Sequence, residues 1–189
     1  MCNHELKDYF WAGKRVRLRP LSETDAEAGF AESFDSETRQ LLQLGIELPT
    51  SVAAQREKLA EMAKLNKDDG FIVLAIDDLS GTLVGTISMH SWNPKNGTFG
   101  FGVSIRREHR GKGYATEAVR ILLQYAFHER RFQKCNSACI EGNEASIALH
   151  KKLGFSEEGR RRRNFFMNGR YYDDLLFGLT SDEFDATLS

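Results

Sequence analysis

Short segments in which apolar and polar residues alternate recur along the chain, and they predict β-strands. The first, residues 14–20, places Val16 and Leu18 between arginines and ends at a proline. Further strands are expected at residues 71–76, 83–89, 134–140, a segment ending near Ile105 that includes 101–105, and two segments that flank Asn168-Gly169. That dipeptide is typical of a two-residue turn, so the last two strands should form a hairpin.

Other segments carry apolar residues at helical spacing and predict helices. They cover about residues 22–34, 51–65, 115–130 and 143–153, while residues 36–48 are helix or loop. Ser22 followed by Asp25 is a capping pattern that opens the first helix. The order βααβββαβαββ predicts an α/β (α+β) fold with a mixed, mostly antiparallel central sheet of about seven strands flanked by helices. We find no repeat or linker, so residues 1–189 are expected to form a single domain with a core at about 14–180.

One turn in this pattern, Arg110-Gly111-Lys112-Gly113-Tyr114-Ala115, is rich in glycine and cations and connects a strand to a helix. The glycines let the backbone turn tightly and approach a ligand closely. The first helical amides lack intrahelical partners and lie at the positive end of the helix dipole, which favours a phosphate or pyrophosphate. A plain turn, with glycines for geometry and cations for solubility, is the alternative. The spacing is not that of a P-loop, and Thr116 replaces the last glycine of a dinucleotide fingerprint.

Composition narrows the class of function. The 189 residues are 41% hydrophobic and 28% charged, which is typical of a globular protein. A net charge of −1 provides no general attraction to nucleic acid or to membranes. No apolar run approaches the ~20 residues of a membrane helix, and residues 1–7 lack the apolar stretch of a signal peptide. We therefore expect neither membrane association nor direct binding of nucleic acid.

The three cysteines indicate neither a disulfide framework nor a metal centre. Cys135 and Cys139 lie four residues apart on a predicted strand, about 13 Å from each other at ~3.3 Å per residue, too far for a bridge. A second pair of metal ligands is not found nearby, so no metal is expected. We interpret both as half-buried small residues of a cytoplasmic protein.

A second segment changes the interpretation of the glycine-rich turn. Residues 143–155 follow the pattern Asn-x-x-Ser-x-x-Leu-x-x-x-x-Gly-Phe, and residues 110–115 follow Arg-x-x-Gly-x-Ala. With residues 165–173 around the hairpin turn, the chain resembles the GCN5-related N-acetyltransferase (GNAT) superfamily. Within it, the hairpin is similar to that of the RimJ/RimL-like branch, which includes spermidine acetyltransferases. The resemblance covers about residues 14–180.

This resemblance implies transfer of an acetyl group from acetyl-CoA, as co-substrate, to a primary amine. In the family, the pyrophosphate binds the amides of the turn, and pantetheine runs like an additional strand beside the strand before it. The residues that the resemblance assigns to acetyl-CoA are Val103, Ile105, Arg110, Gly111, Lys112, Gly113, Tyr114, Ala115, Asn143 and Ser146. Asn143 is also typical of a helix N-cap, and it can cap the helix and bind a ligand at the same time. For Ser146, the alternative to ligand binding is that it is an ordinary polar residue of the helix.

Two catalytic positions differ from what the resemblance implies. His150 stands where many members have a Tyr that protonates the leaving thiolate. An imidazole with an unperturbed pKa of ~6.5 can donate a proton there, or it can simply bind or pack against the cofactor. Gly100 stands where relatives often have a Glu. The general base is therefore left open among a backbone carbonyl, an ordered water and a carboxylate such as Glu47.

The acceptor stays open among a protein N-terminal α-amine, a polyamine and another small amine. A polyamine site needs several carboxylates, because each ammonium requires one nearby. The candidates in the N-terminal half are Glu32, Asp35, Glu37 and Glu47. The family's edge strands also make a homodimer possible.

The arginine run at residues 160–163 has two interpretations. The first is a solvated strand whose arginines pair with Glu157, Glu158, Asp173 and Asp174. The second is contact with an acidic protein substrate or with ribosomal RNA near one.

Two other functions compete with acetyl transfer. A non-catalytic acyl-CoA-binding or regulatory module on the same fold is compatible with the departures at Gly100 and His150. A nucleotide-binding oxidoreductase is disfavoured by Thr116. Acetyl-CoA binding without turnover on any of a panel of amines would favour the non-catalytic module. Binding of NAD in place of acetyl-CoA would favour the oxidoreductase.

Overall fold

The computed structural model of the protein describes residues 9–42, 45–46, 48–64 and 70–188, which build one seven-stranded sheet. The strands are β1 (Val16–Pro20), β2 (Ile72–Asp78), β3 (Leu83–Asn93), β4 (Thr98–Ile105), β5 (Lys134–Ile140), β6 (Ser156–Met167) and β7 (Arg170–Thr180). Their order is β1-β2-β3-β4-β5-β7-β6, and every neighbouring pair is antiparallel except β4 with β5. The predicted α/β fold with a mixed, mostly antiparallel sheet is confirmed.

Helices flank this sheet. They are α1 (Ala26–Glu32), α2 (Ser36–Leu41), α3 (Val52–Lys64), α4 (Tyr114–Gln124), α5 (Glu144–Leu153) and α6 (Ser181–Ala186). A π-helical turn, Tyr125–Glu129, continues α4. Among the described residues, no helix has both the length and the apolar character needed to cross a membrane.

The two faces of the sheet bury separate apolar clusters. Leu74 and Ile76 of β2 join the larger cluster, which packs α4 and α5 on the strands. Val73 and Ala75 join the smaller one, with residues from the α1 and α3 segments. Because both faces of β2 are covered, its sequence is a continuous apolar run instead of an alternating one.

Strands β4 and β5 pair at only two positions, and this decides where a ligand can bind. Thr98 pairs with Lys134 and Phe99 with Cys135. We call this point the vertex. Beyond it, β4 stays paired with β3 and β5 stays paired with β7, so β4 and β5 separate. The edge of β4 over residues 100–105 therefore has no partner strand, and its backbone groups on that side are open to a ligand.

The structure extends one predicted strand and adds a helix. β3 continues past Met89 to Asn93. The additional helix, α6, begins with a capping box in which Thr180 and Glu183 bind each other's backbone amides, and it buries Phe184. Its Thr-x-x-Glu start is a known helix signal, but six residues are too few to show a helical period.

The two cysteines of β5 are more deeply buried than the half-buried positions predicted for them. Cys135 and Cys139 are unpaired, as expected, but both are fully buried in the larger cluster, because the helices cover this face of β5. Burial raises the pKa of both thiols, most strongly that of Cys135. They are therefore packing residues with little thiolate character.

Candidate functional site

The divergence of β4 and β5 opens a cleft of about 1140 Å³. The free edge of β4, the start of α4, β5, α5 and the β6–β7 hairpin form its walls, and α2 contributes as well. The predicted site residues that line it are Val103, Ile105, Arg110, Gly111, Gly113, Tyr114, Ala115, Asn143, Ser146 and His150. Lys112 is not among them and lies in a separate depression with Arg15. One cleft thus gathers residues from positions 103 to 150.

The glycine-rich turn has a backbone that suits an anion. Gly111 has φ of 77° and Gly113 has φ of 82°, both in the left-handed region that favours glycine. Gly113 precedes α4 and provides no side-chain cap for it. The first amides of this 11-residue helix are therefore available to a phosphate ligand.

Contacts with the N-terminal strand hold this turn in place. The Glu117 carboxylate accepts hydrogen bonds from the backbone amides of Lys14, Arg15 and Val16 at 3.0, 2.7 and 2.9 Å. The Arg15 guanidinium donates to the carbonyl of Lys112 at 3.1 Å. Sequence reasoning missed Glu117, because its partners lie about a hundred residues away along the chain.

Arg110 is engaged with protein groups at the end of the cleft. Its guanidinium donates to the backbone oxygen of Ile105 at 2.9 Å and to Thr38 Oγ1 at 2.6 Å. It also lies 3.7 Å from the Asp35 carboxylate. Arg110 thereby connects the end of β4 to α2, and a contact with phosphate stays a prediction.

Strand β4 presents different chemistry on its two faces. Phe99 and Phe101 point into the larger cluster, while Gly100 and Gly102 pair with His90 and Ser88 of β3. Side chains of β3 lie close to this second face: a Cβ on Gly100 would lie 2.9 Å from His90 Cε1, and one on Gly102 would lie 3.1 Å from Ser88 Oγ. The alternation of aromatic residues and glycine in β4 is the sequence signal for this division.

Asn143 and Ser146 build the start of α5 on the opposite wall. The Asn143 side-chain oxygen accepts the backbone N–H of Ser146 at 3.1 Å, which makes Asn143 the N-cap. Asn143 lines the cleft, and its amide nitrogen makes no hydrogen bond within the described residues. The capping role is confirmed, and the ligand role of both residues stays a prediction.

His150 is only 2% exposed, and both ring nitrogens have partners. Nδ1 lies 2.8 Å from the carbonyl of Ser146, so it carries the proton and donates. Nε2 then accepts from the Ser137 hydroxyl at 2.8 Å. The ring stacks on Phe177, with centroids 4.5 Å apart. Burial lowers the pKa of His150, and the hydrogen bond to Ser146 offsets part of the effect.

The Gly154-Phe155 pair fixes the end of α5 and the position of His150. Gly154 has φ of 90°, and the Phe155 amide donates to the carbonyl of His150 at 3.0 Å. This is a helix C-cap that glycine makes possible. The Phe155 ring meets His150 edge-to-face at 5.1 Å. The Gly-Phe part of the motif therefore has a local structural reason.

Carboxylates within the cleft are paired with cations. Asp174 is 2% exposed, and its Oδ2 lies 3.4 Å from Arg161, while Oδ1 is buried without a hydrogen-bond partner. Burial raises the pKa of Asp174, and the charge of Arg161 offsets only part of this rise. Glu158 lies 2.6 Å from Lys134.

The arginine run lies on β6 and pairs with acidic side chains, as the first interpretation expects. Arg160 contacts both Glu141 and Asp173 at 3.1 Å. Asp173 and Asp174 are partners of this run, whereas Glu158 binds Lys134 instead. The predicted Glu158 pairing was wrong because the Glu158 carboxylate lies beside Lys134 of β5, which is a closer cation.

Comparison with known proteins decides the family. The family model described as an acetyltransferase (GNAT) domain matches residues 15–156. The chain belongs to the GNAT acetyltransferase family. The resemblance seen in the glycine-rich turn and in residues 143–155 is thereby confirmed.

Individual members of this family cover most of the chain. The SPbeta prophage-derived uncharacterized N-acetyltransferase YokL of Bacillus subtilis is 35% identical over 176 residues, 93% of this chain and 96% of YokL. The crystal structure of a probable acetyltransferase superposes with a TM-score of 0.81 at 29% identity, covering 90% of this chain and 95% of that one. Spermidine N-acetyltransferase from Vibrio cholerae, solved with CoA and spermine, shares the fold with a TM-score of 0.78 at 23% identity, over 91% and 99% of the two chains.

Proposed function

We propose that this GNAT-family protein transfers the acetyl group of acetyl-CoA to a primary amine, which attacks the thioester directly while both are bound. The observation that carries the proposal is the free edge of β4, which leads from the vertex to the glycine-rich turn. The fold relative from Vibrio cholerae was solved with CoA, which supports the cleft as the donor site.

The chain supplies ligand groups in order along this cleft. The amides of Gly111, Gly113, Tyr114 and Ala115 hold the pyrophosphate at the end of the cleft next to α4. Backbone groups of residues 103–105 bind the pantetheine amides, and the Asn143 amide nitrogen reaches them from α5. This arrangement brings the thioester to the vertex, where holding a neutral amine against it supplies much of the rate.

His150 has a positioning role in this proposal. In its neutral form the only ring proton is on Nδ1 and is bound to the carbonyl of Ser146. Nε2 therefore has no proton to give to the leaving sulfur. The proton-donor hypothesis for His150 stays a prediction, and the geometry favours a ring that packs and orients the Ser137 hydroxyl in the cleft.

We propose an acceptor with one positive charge in preference to a polyamine. Three of the carboxylates considered for polyamine binding are paired with arginines: Glu32 with Arg106, and Asp35 and Glu37 with Arg107. Glu47 lies outside the described residues. The paired hydrogen bonds between Gln40 and Asn168 connect α2 to the hairpin turn, which supports a RimJ/RimL-like acceptor site beside this hairpin.

Release of the CoA thiol from acetyl-CoA, measured against a panel of amines, tests the proposal. The panel contains spermidine, simple monoamines and peptides with free N-termini. We expect a kcat/KM at least tenfold higher on a monoamine or peptide than on spermidine. Acetyl-CoA binding without turnover on any amine would favour the non-catalytic module, and higher activity on spermidine would reject the single-charge acceptor alone.

A further inference from the structure

At the vertex, His90 fills the space that a side chain on residue 100 would take. His90 on β3 lies directly opposite Gly100 on β4. A Cβ built on Gly100 would lie 2.9 Å from Cε1 and 3.2 Å from Nδ1 of His90, and 3.1 Å from the backbone oxygen of Asn136 on β5. The imidazole is half-buried and lines the cleft. It therefore lies where β4 and β5 separate.

The backbone after His90 has an unusual shape. The register of β3 against β4 shifts between His90 and Asn93, and Ser91 has φ of 53°, in the left-handed region. The Ser91 hydroxyl lies 3.0 Å from His90 Nδ1. Bulges and strained residues of this kind are found next to active sites, where they aim a side chain. Here the aimed side chain is His90.

Among the titratable groups that line the described cleft, we compare which could accept a proton from a ligand. His90 has a ring nitrogen suited to this. His150 uses both nitrogens within the protein, and Glu158 pairs with Lys134. Asp174 pairs with Arg161 through Oδ2, while its unpaired Oδ1 is buried. His109 lies at the other end of the cleft, directly before Arg110. The partner of Nδ1 in His90 is a hydroxyl on exposed Ser91, which an incoming ammonium group can replace as donor.

The ionisation of His90 agrees with this role. Burial lowers its pKa below the ordinary value, and a hydrogen bond with the Phe101 backbone offsets part of the effect. The ring is therefore neutral at neutral pH and has a lone pair available. The other charged or titratable side chains that line the cleft are His109, Arg110, Tyr114, Cys139, His150, Lys152, Glu158, Arg161 and Asp174. None of them contributes to the pKa shift of His90.

We propose that His90 is the general base of the acetyl transfer, acting from the place that Gly100 leaves without a carboxylate; the inference rests on the proposed function. Nδ1 accepts one proton from the ammonium group of the acceptor. The amine nitrogen then attacks the thioester carbonyl, the C–N bond forms, the C–S bond breaks, and the second proton passes from nitrogen to sulfur. His90 releases its proton to solvent. One ammonium and one thioester thus give one amide, one thiol and one proton.

The substitution His90→Gln tests this role, with His128→Gln as control. His128 is outside the cleft, where its ring binds Asp185. We expect His90→Gln to lower kcat about 100-fold or more, with the KM for acetyl-CoA within twofold of wild type. The rate of the His90→Gln variant should then rise with pH up to the pKa of the acceptor amine. Without the base, only the amine that is already deprotonated in solution reacts. His128→Gln should keep the activity and pH profile of wild type within twofold.

A second variant moves the base to the other strand. His90→Gly combined with Gly100→Glu places a carboxylate at the vertex, and we expect at least tenfold more activity than His90→Gly alone. Activity of His90→Gln within threefold of wild type, with an unchanged pH profile, would overturn the proposal. A loss explained by weaker acetyl-CoA binding, with no gain in the double variant, would do the same. Activity of the wild-type protein on at least one amine shows that these outcomes concern the role of His90 alone. Inactivity of wild type on every amine would overturn both the proposed acetyl transfer and the role of His90.

Discussion

At His150, the hydrogen-bonding capacity of one imidazole is used completely within the protein. Nδ1 donates to Ser146 and Nε2 accepts from Ser137, while Phe177 covers the ring. Protonation would place a second N–H against the Ser137 hydroxyl in a buried site. The folded protein therefore favours the neutral ring, in agreement with the lowered pKa of His150.

His150→Phe should make stability less dependent on pH. The folded pKa of His150 is below the unfolded value of ~6.5, so its contribution to stability is present above that pH and is lost as the pH falls. We expect the urea midpoint of wild type to drop more between pH 7.5 and 5 than that of His150→Phe. Turnover of the variant is measured in parallel with acetyl-CoA binding.

The exposed ring of His128 provides the comparison for this experiment. The urea midpoints of His128→Phe are measured at the same pH values. Equal pH dependence in wild type and His150→Phe would contradict the buried neutral ring. Unchanged turnover with intact acetyl-CoA binding would remove His150 from the mechanism.

At the scale of elements, the glycine-rich turn is a short segment whose position depends on β1. Glu117 in the first turn of α4 binds three amides at the start of β1. A Cβ on Gly13 would lie 2.6 Å from the Glu117 carboxyl group. The close approach of these two elements therefore needs glycine at residue 13 as well as the left-handed glycines of the turn.

Gly113→Ala and Gly111→Ala form a matched pair for this turn. Both glycines have positive φ, so each substitution should cost about 1–2 kcal/mol of stability. A Cβ on Gly113 would additionally meet the Arg15 guanidinium, whereas a Cβ on Gly111 has nothing within 4 Å. We expect the larger loss of stability, and a several-fold higher Kd for acetyl-CoA, with Gly113→Ala.

Thermal unfolding and calorimetric titration with acetyl-CoA check this pair. Arg15→Ala combined with Gly113→Ala should recover the part of the loss that comes from the clash. Equal effects of the two single substitutions would show that the contact with Arg15 has no energetic weight.

At the scale of the whole molecule, a buried ion-pair network connects the first strand, the first helix and the second strand. Arg19 binds Asp25 through two bonds of 2.8 Å and Asp77 through one of 2.8 Å. Asp77 is 1% exposed, and Asp25 closes the capping box with Ser22. Burial raises the pKa of Asp25, but the bonds from Arg19 and Ser22 together hold it below its ordinary value.

Arg19→Met should destabilise the fold by about 3–5 kcal/mol, because it leaves two buried carboxylates without their shared partner. Since the pKa of Asp25 is lowered, wild type keeps this stabilisation above the ordinary carboxyl pKa and loses it as the pH falls through the folded value. The variant should therefore lose less stability than wild type between pH 6 and 3. Urea unfolding at several pH values measures both effects.

Arg17→Met is the control for this network. Arg17 contacts Asp77 from a more exposed position and does not reach Asp25. Its loss should cost less than half as much as that of Arg19. A similar cost for both substitutions would contradict the central position of Arg19.

Local patterns explain why the sequence predicted much of this fold and cleft. Alternation marks β1 and β3, Asn168-Gly169 marks the hairpin, and Asn143 marks a helix start. Each of these signals depends on neighbours within about four residues, so they can be read without knowing the fold. His90 gives no such signal, because its significance depends on the strand register that places it opposite Gly100.

The sequence by itself determined the order of the seven strands, the glycine-rich turn and the capped start of α5, because short-range backbone geometry controls all three. Only the tertiary structure decided the divergence of β4 and β5, the partners of Arg110 and the buried state of His150. These features arise where segments far apart in the chain pack together. Their free energies depend on register, burial and distance, which a linear pattern does not contain.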